Sequence, residues 1–188
     1  MSNEDRRNRA RRKERPPLDA EGLERLGLFY AGRYATTRAK LGDYLRRKLR
    51  ERGWSGSGTP PVEALVERFA TLGYVNDAAF AEAKTGALLR RGYGERRVAQ
   101  ALKAAGIGEE DAAPAREEAE KSAEEAALRF ARRRRIGPYA AAPLANDREG
   151  REARQKAAAA MLRAGHRLDV VRRILDASPG DIPDPDLS

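Results

Sequence analysis

The stretch GYVNDAAFAEAKTGALLRRGYGERRVAQALKAAGI, Gly73 to Ile107, carries the clearest structural signal in the chain. Apolar residues recur in it at helical spacing, first around Phe80 and then around Val98, with glycines before, between and after the two runs. A phosphate-binding loop would need a buried strand before its glycines and Gly-Lys-Ser or Gly-Lys-Thr after them, and the stretch has neither. The glycines are therefore predicted to end short helices, where a left-handed backbone conformation favours glycine.

The rest of the chain also shows helical periodicity, and strand-like alternation is not convincing anywhere. Thr36 or Thr37 is a predicted helix N-cap, and so is Asp77. GPYAAAP, from Gly137 to Pro143, is predicted to be an irregular connection. The predicted helices are a short one around Leu23 to Tyr30, one ending at Gly53, one over Val62–Leu72, one from Asp77 to Gly92, one ending at Gly106, a long one from about Ala112 to Arg135, one from about Glu149 to Ala164 and one over Leu168–Ala177.

Three segments share one plan: YLRRKLRERGW at residues 44–54, VAQALKAAGI at 98–107 and AAAMLRAGH at 158–166. Each is an apolar and basic helix end followed by glycine and a large residue, and another apolar helix comes next. A unit of about three short helices can bury its apolar face only by stacking on its neighbours. The sequence therefore predicts an all-α fold of about three tandem three-helix repeats, stacked into an elongated, curved, right-handed arrangement.

Composition and charge predict the boundaries of these repeats. Residues 1–17 hold many arginines and end in prolines, which is typical of a disordered tail. SGSGTPP, at residues 55–61, has the composition of a flexible linker. The predicted division is a basic tail at 1–17, a first repeat at 18–55, a linker at 56–61, a second repeat at 62–108, a third repeat at 109–178 and an acidic tail at 179–188.

The composition excludes several classes of protein. The chain has 188 residues and no cysteine, so it can form no disulfide framework, thiolate zinc site or cysteine nucleophile. No apolar run approaches the roughly 20 residues of a membrane span, and the N-terminus lacks the apolar core of a signal peptide. We expect a cytoplasmic protein, monomeric and without a membrane partner.

Catalytic residues are equally scarce. His166 is the single histidine and stands at a helix break, where a packing or surface role is expected. Asn76 and Asp77 are interpreted as a turn and cap rather than an acid–base pair. The eight acidic residues of 109–125 lack the spacing of metal ligands. We therefore predict a protein that is not an enzyme and uses neither a cofactor nor a metal.

The positive charge recurs in separate blocks, within a formal net charge of +9. Solvated helix faces are the ordinary explanation of any one block, but recurrence at successive helix ends favours a polyanionic or acidic partner. Arg96 and Arg97 open a predicted helix, where cations are mildly unfavourable, so the corner from Arg90 to Arg97 is the predicted centre of binding, gathering four guanidinium groups. The candidate partner-binding residues are Arg46, Arg47, Lys48 and Arg50, then Arg90, Arg91, Arg96, Arg97 and Lys103, then Arg132, Arg133, Arg134, Arg135, Arg163, Arg172 and Arg173.

The arrangement resembles the RecX family, whose central repeat runs Gly-Tyr-(Leu/Ile/Val)-(Asp/Asn)-Asp-x-x-Phe-Ala, then Arg-x-x-x-Gly, then Leu-x-x-x-Gly-Ile. KLGDYLRRKLRERG, ALRFARRRRIG and QKAAAAMLRAGHRLDVVRRIL resemble the flanking repeats, so that the similarity extends from about Leu23 to Ala177. The residues that match the central pattern are Gly73, Tyr74, Asp77, Phe80, Ala81, Arg90, Gly92, Leu102, Gly106 and Ile107.

The resemblance implies a small regulator that binds the RecA recombinase, especially its filament on single-stranded DNA, and inhibits ATP hydrolysis, strand exchange and coprotease activity. Direct contact with DNA remains open. Two alternatives are a DNA-binding protein that acts without RecA and a helical scaffold for protein interactions. A helix-turn-helix at Ala99–Ile107 would place Glu109, Glu110 and Asp111 at the start of its second helix, where they would repel phosphate.

Overall fold

The computed structural model describes residues 16–141 and 147–178, which form nine α-helices, one 3₁₀-helix and one isolated bridge between Leu18 and Trp54. The predicted all-α fold is confirmed. The predicted tails up to residue 15 and from residue 179, and the end of GPYAAAP, lie outside the described residues. The helices are α1 (Ala20–Arg33), α2 (Arg38–Arg52), α3 (Val62–Thr71), α4 (Asp77–Arg90), α5 (Glu95–Ala104), α6 (Glu109–Lys121), α7 (Ala123–Arg134), the 3₁₀-helix (Gly137–Tyr139), α8 (Arg148–Arg163) and α9 (Leu168–Asp176).

The helices form three consecutive groups of three, each with an apolar core of its own, so the predicted tandem three-helix repeat is confirmed. Alanine supplies much of the second core, which lets α4 and α6 approach each other closely. Among the core residues are Leu23, Leu41 and Phe69 in the first group, Leu88, Leu102 and Ala119 in the second, and Phe130, Met161 and Val171 in the third.

The groups are shifted by one helix from the predicted division. The helix α3, assigned from the sequence to the second repeat, packs in the first core, and α6, assigned to the third, packs in the second. The repeated glycines Gly53, Gly106 and Gly165, all with positive φ, stand between the second and third helices of each group. The sequence motif therefore marks a corner inside each repeat, because the helix after it folds back onto the same core.

The chain divides into two compact units, one up to Asn76 and one from Asp77 onward. In the first unit the side chain of Leu18 is buried. Its backbone N–H donates a hydrogen bond at 3.0 Å to the O of Gly53, the residue that follows α2. Trp54 donates its Nε1–H to Gly58 O at 3.0 Å, so the start of the predicted linker folds back on Trp54. Residues 60 and 61 then lead into α3.

The second unit holds the second and third helix groups. The single long helix predicted from Ala112 to Arg135 is wrong, because the chain breaks at Ser122 (φ −86°, ψ 7°) into α6 and α7. The break follows from packing: Ala115 and Ala119 of α6 face the second core, whereas Phe130 and Ala131 of α7 face the third. Ala126, in the first turn of α7, still packs in the second core, and the rest of α7 runs along the third.

Two predicted caps have different outcomes. Thr37 is the N-cap of α2, where its Oγ1 accepts from the N–H of Lys40 at 3.2 Å, as predicted. Asp77 is the first residue of α4 rather than the residue before it, and it is only 4% exposed. Its carboxylate therefore lies in the first turn of α4, where the helix dipole favours negative charge.

Candidate partner-binding surface

The turn between α4 and α5 lies directly against the turn between α8 and α9. Gly94 N–H donates to Ala164 O at 3.0 Å, and Arg96 N–H donates to Gly165 O at 3.2 Å. A Cβ atom on Gly94 would lie 2.4 Å from Gly165 O, and one on Gly165 would lie 2.4 Å from the backbone N of Arg97. Only glycine at both positions permits this approach, which fixes the backbone around residues 94–97.

Gly92 and His166 complete the contact. Gly92 has φ of +68°, and a Cβ there would lie 2.8 Å from the backbone N of Phe130. His166 is 2% exposed, and its ring meets Phe130 edge to face at 5.4 Å. Burial lowers the pKa of His166 to about 4, although a hydrogen bond with the backbone of Gly92 acts in the opposite direction. His166 is thus a neutral packing residue.

Two of the predicted arginines meet at the half-buried ring of Tyr93. The guanidinium carbon of Arg91 lies 5.2 Å from the centroid of this ring, and that of Arg97 lies 5.8 Å from it. Arg133 reaches across from α7 and donates a hydrogen bond to Arg91 O. All three arginines are exposed. We call Arg91, Tyr93, Arg97 and Arg133 the Tyr93 corner.

Of the four arginines predicted to gather here, Arg91 and Arg97 lie against Tyr93, and the other two line separate clefts. Arg90 lines a separate cleft with Glu118 and Glu125 of the following helices. Arg96 lines another cleft with Glu109 and Glu117. Arg96 and Arg97 are consecutive residues of α5, whose side chains point about 100° apart, so only Arg97 faces Tyr93. Arg90 is the last residue of α4, and Arg91 lies in the turn beside Tyr93.

The first predicted group is largely occupied by carboxylates. Arg46 lies 3.0 Å from Asp43 and 2.9 Å from Glu63, and its hydrogen bond to Asp43 is the main cause that raises its pKa. Lys48 lies 2.5 Å from Glu51, which Arg47 also approaches at 3.7 Å. Arg50 is exposed and, within the described residues, has no ion pair.

The remaining predicted residues are spread over the second unit. Arg134 lies 5.7 Å above the ring of Phe130, and Arg135 ends α7 in the left-handed conformation (φ 53°). Arg173 approaches Glu124 at 3.8 Å. Lys103, Arg132, Arg163 and Arg172 are exposed.

The sequence analysis did not predict that Tyr93 and Arg133 lie beside Arg91 and Arg97. Tyr93 stands in the row RRGYGERR, and an aromatic residue among arginines is a signal that could have pointed to a stacked cluster. Arg133 lies 42 residues from Arg91, and nothing local in the sequence indicates their contact.

The described residues contain neither a metal site nor a membrane-spanning helix. Within residues 16–141 and 147–178, no group of three or more His, Asp or Glu side chains is arranged to hold a metal ion. In the same residues, no helix combines the length and the apolar character needed to cross a lipid bilayer.

The similarity of the chain to known proteins shows its family. A family model described as RecX, second three-helix domain, matches residues 76–115, a range that begins at α4 as the structural grouping does. The chain is 33% identical over 181 residues to Regulatory protein RecX of Myxococcus xanthus (strain DK1622), covering 90% of this chain and 95% of that protein. The chain belongs to the RecX family.

Solved RecX structures share the fold. The crystal structure of RecX from Lactobacillus salivarius matches with a TM-score of 0.61 and 19% identity, over 84% of this chain and 96% of that one. A second crystal structure, of a regulatory protein RecX, matches with a TM-score of 0.61 and 18% identity, over 94% of this chain and 78% of the other. The RecX neighbours are all-α helical repeat proteins, like this chain.

Proposed function

We propose that this chain regulates the RecA recombinase by binding RecA and its filament on single-stranded DNA, and that it inhibits ATP hydrolysis, strand exchange and coprotease activity. The observation that carries the proposal is the similarity to Regulatory protein RecX over nearly the whole chain. The protein acts by binding and performs no chemistry of its own.

We place the centre of the binding surface at the Tyr93 corner. Arg91, Arg97 and Arg133 have no carboxylate partner among the described residues, so a polyanionic or acidic partner need not displace one. The glycine contacts beneath the corner hold the backbone in place before binding, which lowers the entropy that binding would otherwise cost.

The other basic residues would add weaker contacts. Arg50, Lys103, Arg163 and Arg172 are exposed on separate helices. Several weak contacts on one partner add through effective concentration, provided that the partner presents repeated sites. A filament is such a partner. By contrast, the start of α6 carries exposed Glu109 and Glu110, which oppose its use as a DNA recognition helix.

The direct test is ATP hydrolysis by RecA on single-stranded DNA at increasing concentrations of this chain. We expect hydrolysis to fall, and the chain to bind the assembled filament more tightly than either free RecA or bare DNA. Binding should weaken as salt rises, because the contacts are charged. Unchanged hydrolysis at saturating chain, or DNA binding that RecA does not strengthen, would contradict the proposal.

A further inference from the structure

The first unit carries a run of three tyrosine rings between the end of α1 and the middle of α2. The rings of Tyr30 and Tyr44 are stacked, with centroids 4.1 Å apart and planes at 13°. The ring of Tyr34 lies 5.3 Å from that of Tyr30 at 51° and is 50% exposed. We call Tyr30, Tyr34 and Tyr44 the tyrosine ladder. Tyr30 and Tyr44 pack on the first core, so the ladder rests on a fixed base.

Cations stand at both ends of the ladder. The guanidinium carbon of Arg33 lies 5.8 Å from the ring centroid of Tyr34 and 6.0 Å from that of Phe29. At the other end, Arg47 lies 5.6 Å from the ring of Tyr44, and Lys48 lies 5.8 Å from it. The segment from residue 33 to 53 holds eight basic residues and only two acidic ones.

The rings of Phe29 and Tyr34 are exposed and lie outside the first core. Phe29 is 60% exposed, and Arg33, beside it, forms no ion pair with a described residue. Exposed aromatic rings next to unpaired cations are the combination that binds single-stranded nucleic acid, because bases stack on rings while phosphates approach the cations. Duplex DNA does not offer its base faces, so the same surface would hold it less tightly.

We propose that the tyrosine ladder, with Phe29 and Arg33, is a binding site for single-stranded DNA that is separate from the Tyr93 corner. Bases stack on Tyr34 and Phe29, and backbone phosphates lie near Arg33, whereas Arg47 and Lys48 at the other end of the ladder already lie near Glu51. The choice of DNA rests on the proposed function, in which the chain meets a filament built on single-stranded DNA.

The test measures the affinity of the full chain, without RecA, for a fluorescent thymidine oligonucleotide and for an abasic oligonucleotide with the same number of phosphates. Tyr34→Leu and Phe29→Leu together should weaken binding to the thymidine oligonucleotide at least about fivefold. Binding to the abasic oligonucleotide should change little, because the phosphate contacts remain. Circular dichroism should stay unchanged, since both side chains are at least 50% exposed and lie outside the first core.

Tyr74→Leu is the matched control, because Tyr74 is 54% exposed in the same unit but lies against Phe69, at 5.6 Å, and has no part in the ladder. It should bind the thymidine oligonucleotide as the parent does. Equal losses on both oligonucleotides, an equal loss in Tyr74→Leu, or tighter binding to duplex or RNA would overturn the proposal. A parent chain that binds no bare oligonucleotide would also overturn it. Inhibition of RecA by the chain is measured separately, and its absence would count against the proposed function alone.

Discussion

In the first unit Arg46 lies between Asp43 and Glu63, at 3.0 and 2.9 Å, whereas in the second unit Arg91 and Arg97 lie against Tyr93 with no carboxylate partner among the described residues. A partner that binds Arg46 must first replace two carboxylates. A partner that binds the Tyr93 corner meets unpaired charge. Two sets with equal numbers of arginines can therefore contribute unequally to binding. An arginine with a neighbouring carboxylate contributes less than one without.

The two units also hold their turns differently. Gly73, which ends the third helix of the first unit, has φ of +77°, but a Cβ there would meet no atom within 4 Å. Gly92 has a similar φ of +68°, yet a Cβ there would meet the backbone of α7. Residue 73 requires glycine only because its φ is positive. Residue 92 requires glycine for the same reason and also because a Cβ atom there would collide with α7.

The largest expected effect separates these two glycines. Gly92→Ala should lower the free energy of unfolding of the second unit by about 2 to 4 kcal/mol, because left-handed strain adds to overpacking against Phe130. Gly73→Ala should cost about 1 kcal/mol, from strain alone. Urea unfolding followed by circular dichroism would measure both. Equal losses in the two variants would mean that the backbone near Phe130 gives way easily.

The helices and their glycine ends were predictable, since apolar spacing and glycine after a helix are local signals. The grouping was not, because the sequence cannot show that α3 folds back onto the core of α1 and α2. The ion pair of Arg46 with Glu63 spans 17 residues, and the contact of Arg133 with Arg91 spans 42. The cluster of basic residues was thus visible in the sequence, while their pairing depends on tertiary contacts.

The second expected effect concerns pH and the neutral His166. An unfolded chain protonates this histidine below a pKa of about 6.5, whereas the folded chain does so only below about 4. Between these values the unfolded state binds more protons, so stability is complete above pH 6.5 and falls as the pH decreases. We expect the second unit to lose about 2 kcal/mol between pH 7 and pH 5.

His166→Gln provides the control, because glutamine does not titrate and should remove this loss. The first unit contains no histidine and should change much less over the same range. Urea unfolding at several pH values, read by hydrogen exchange in each unit, would show the difference. A parent chain whose two units weaken equally between pH 7 and pH 5 would rule out His166 as the cause.

The third expected effect tests the paired against the unpaired arginines. Arg91→Gln and Arg97→Gln together should weaken binding to the RecA filament about tenfold, or about 1.4 kcal/mol. Arg46→Gln and Arg68→Gln together remove the same charge from residues that already have carboxylate partners, Arg68 being paired with Glu24. Their loss should stay below about threefold. If the double variant of Arg46 and Arg68 loses as much affinity as the double variant of Arg91 and Arg97, net charge alone governs binding.

The smallest expected effect separates two neighbours in one helical turn. Arg97 flanks Tyr93, whereas Arg96 lines a cleft that also holds Glu95, Glu109 and Glu117. Arg97→Gln should weaken filament binding about threefold to fivefold. Arg96→Gln makes the same change in charge but should have less than half that effect, because four glutamates and only one other arginine line its cleft. Both variants should melt like the parent, since both side chains are exposed. Filament binding at two salt concentrations would decide the matter. A larger loss from Arg96→Gln would move the binding surface from the Tyr93 corner to the α5–α6 cleft, and the partner there would have to tolerate its carboxylates.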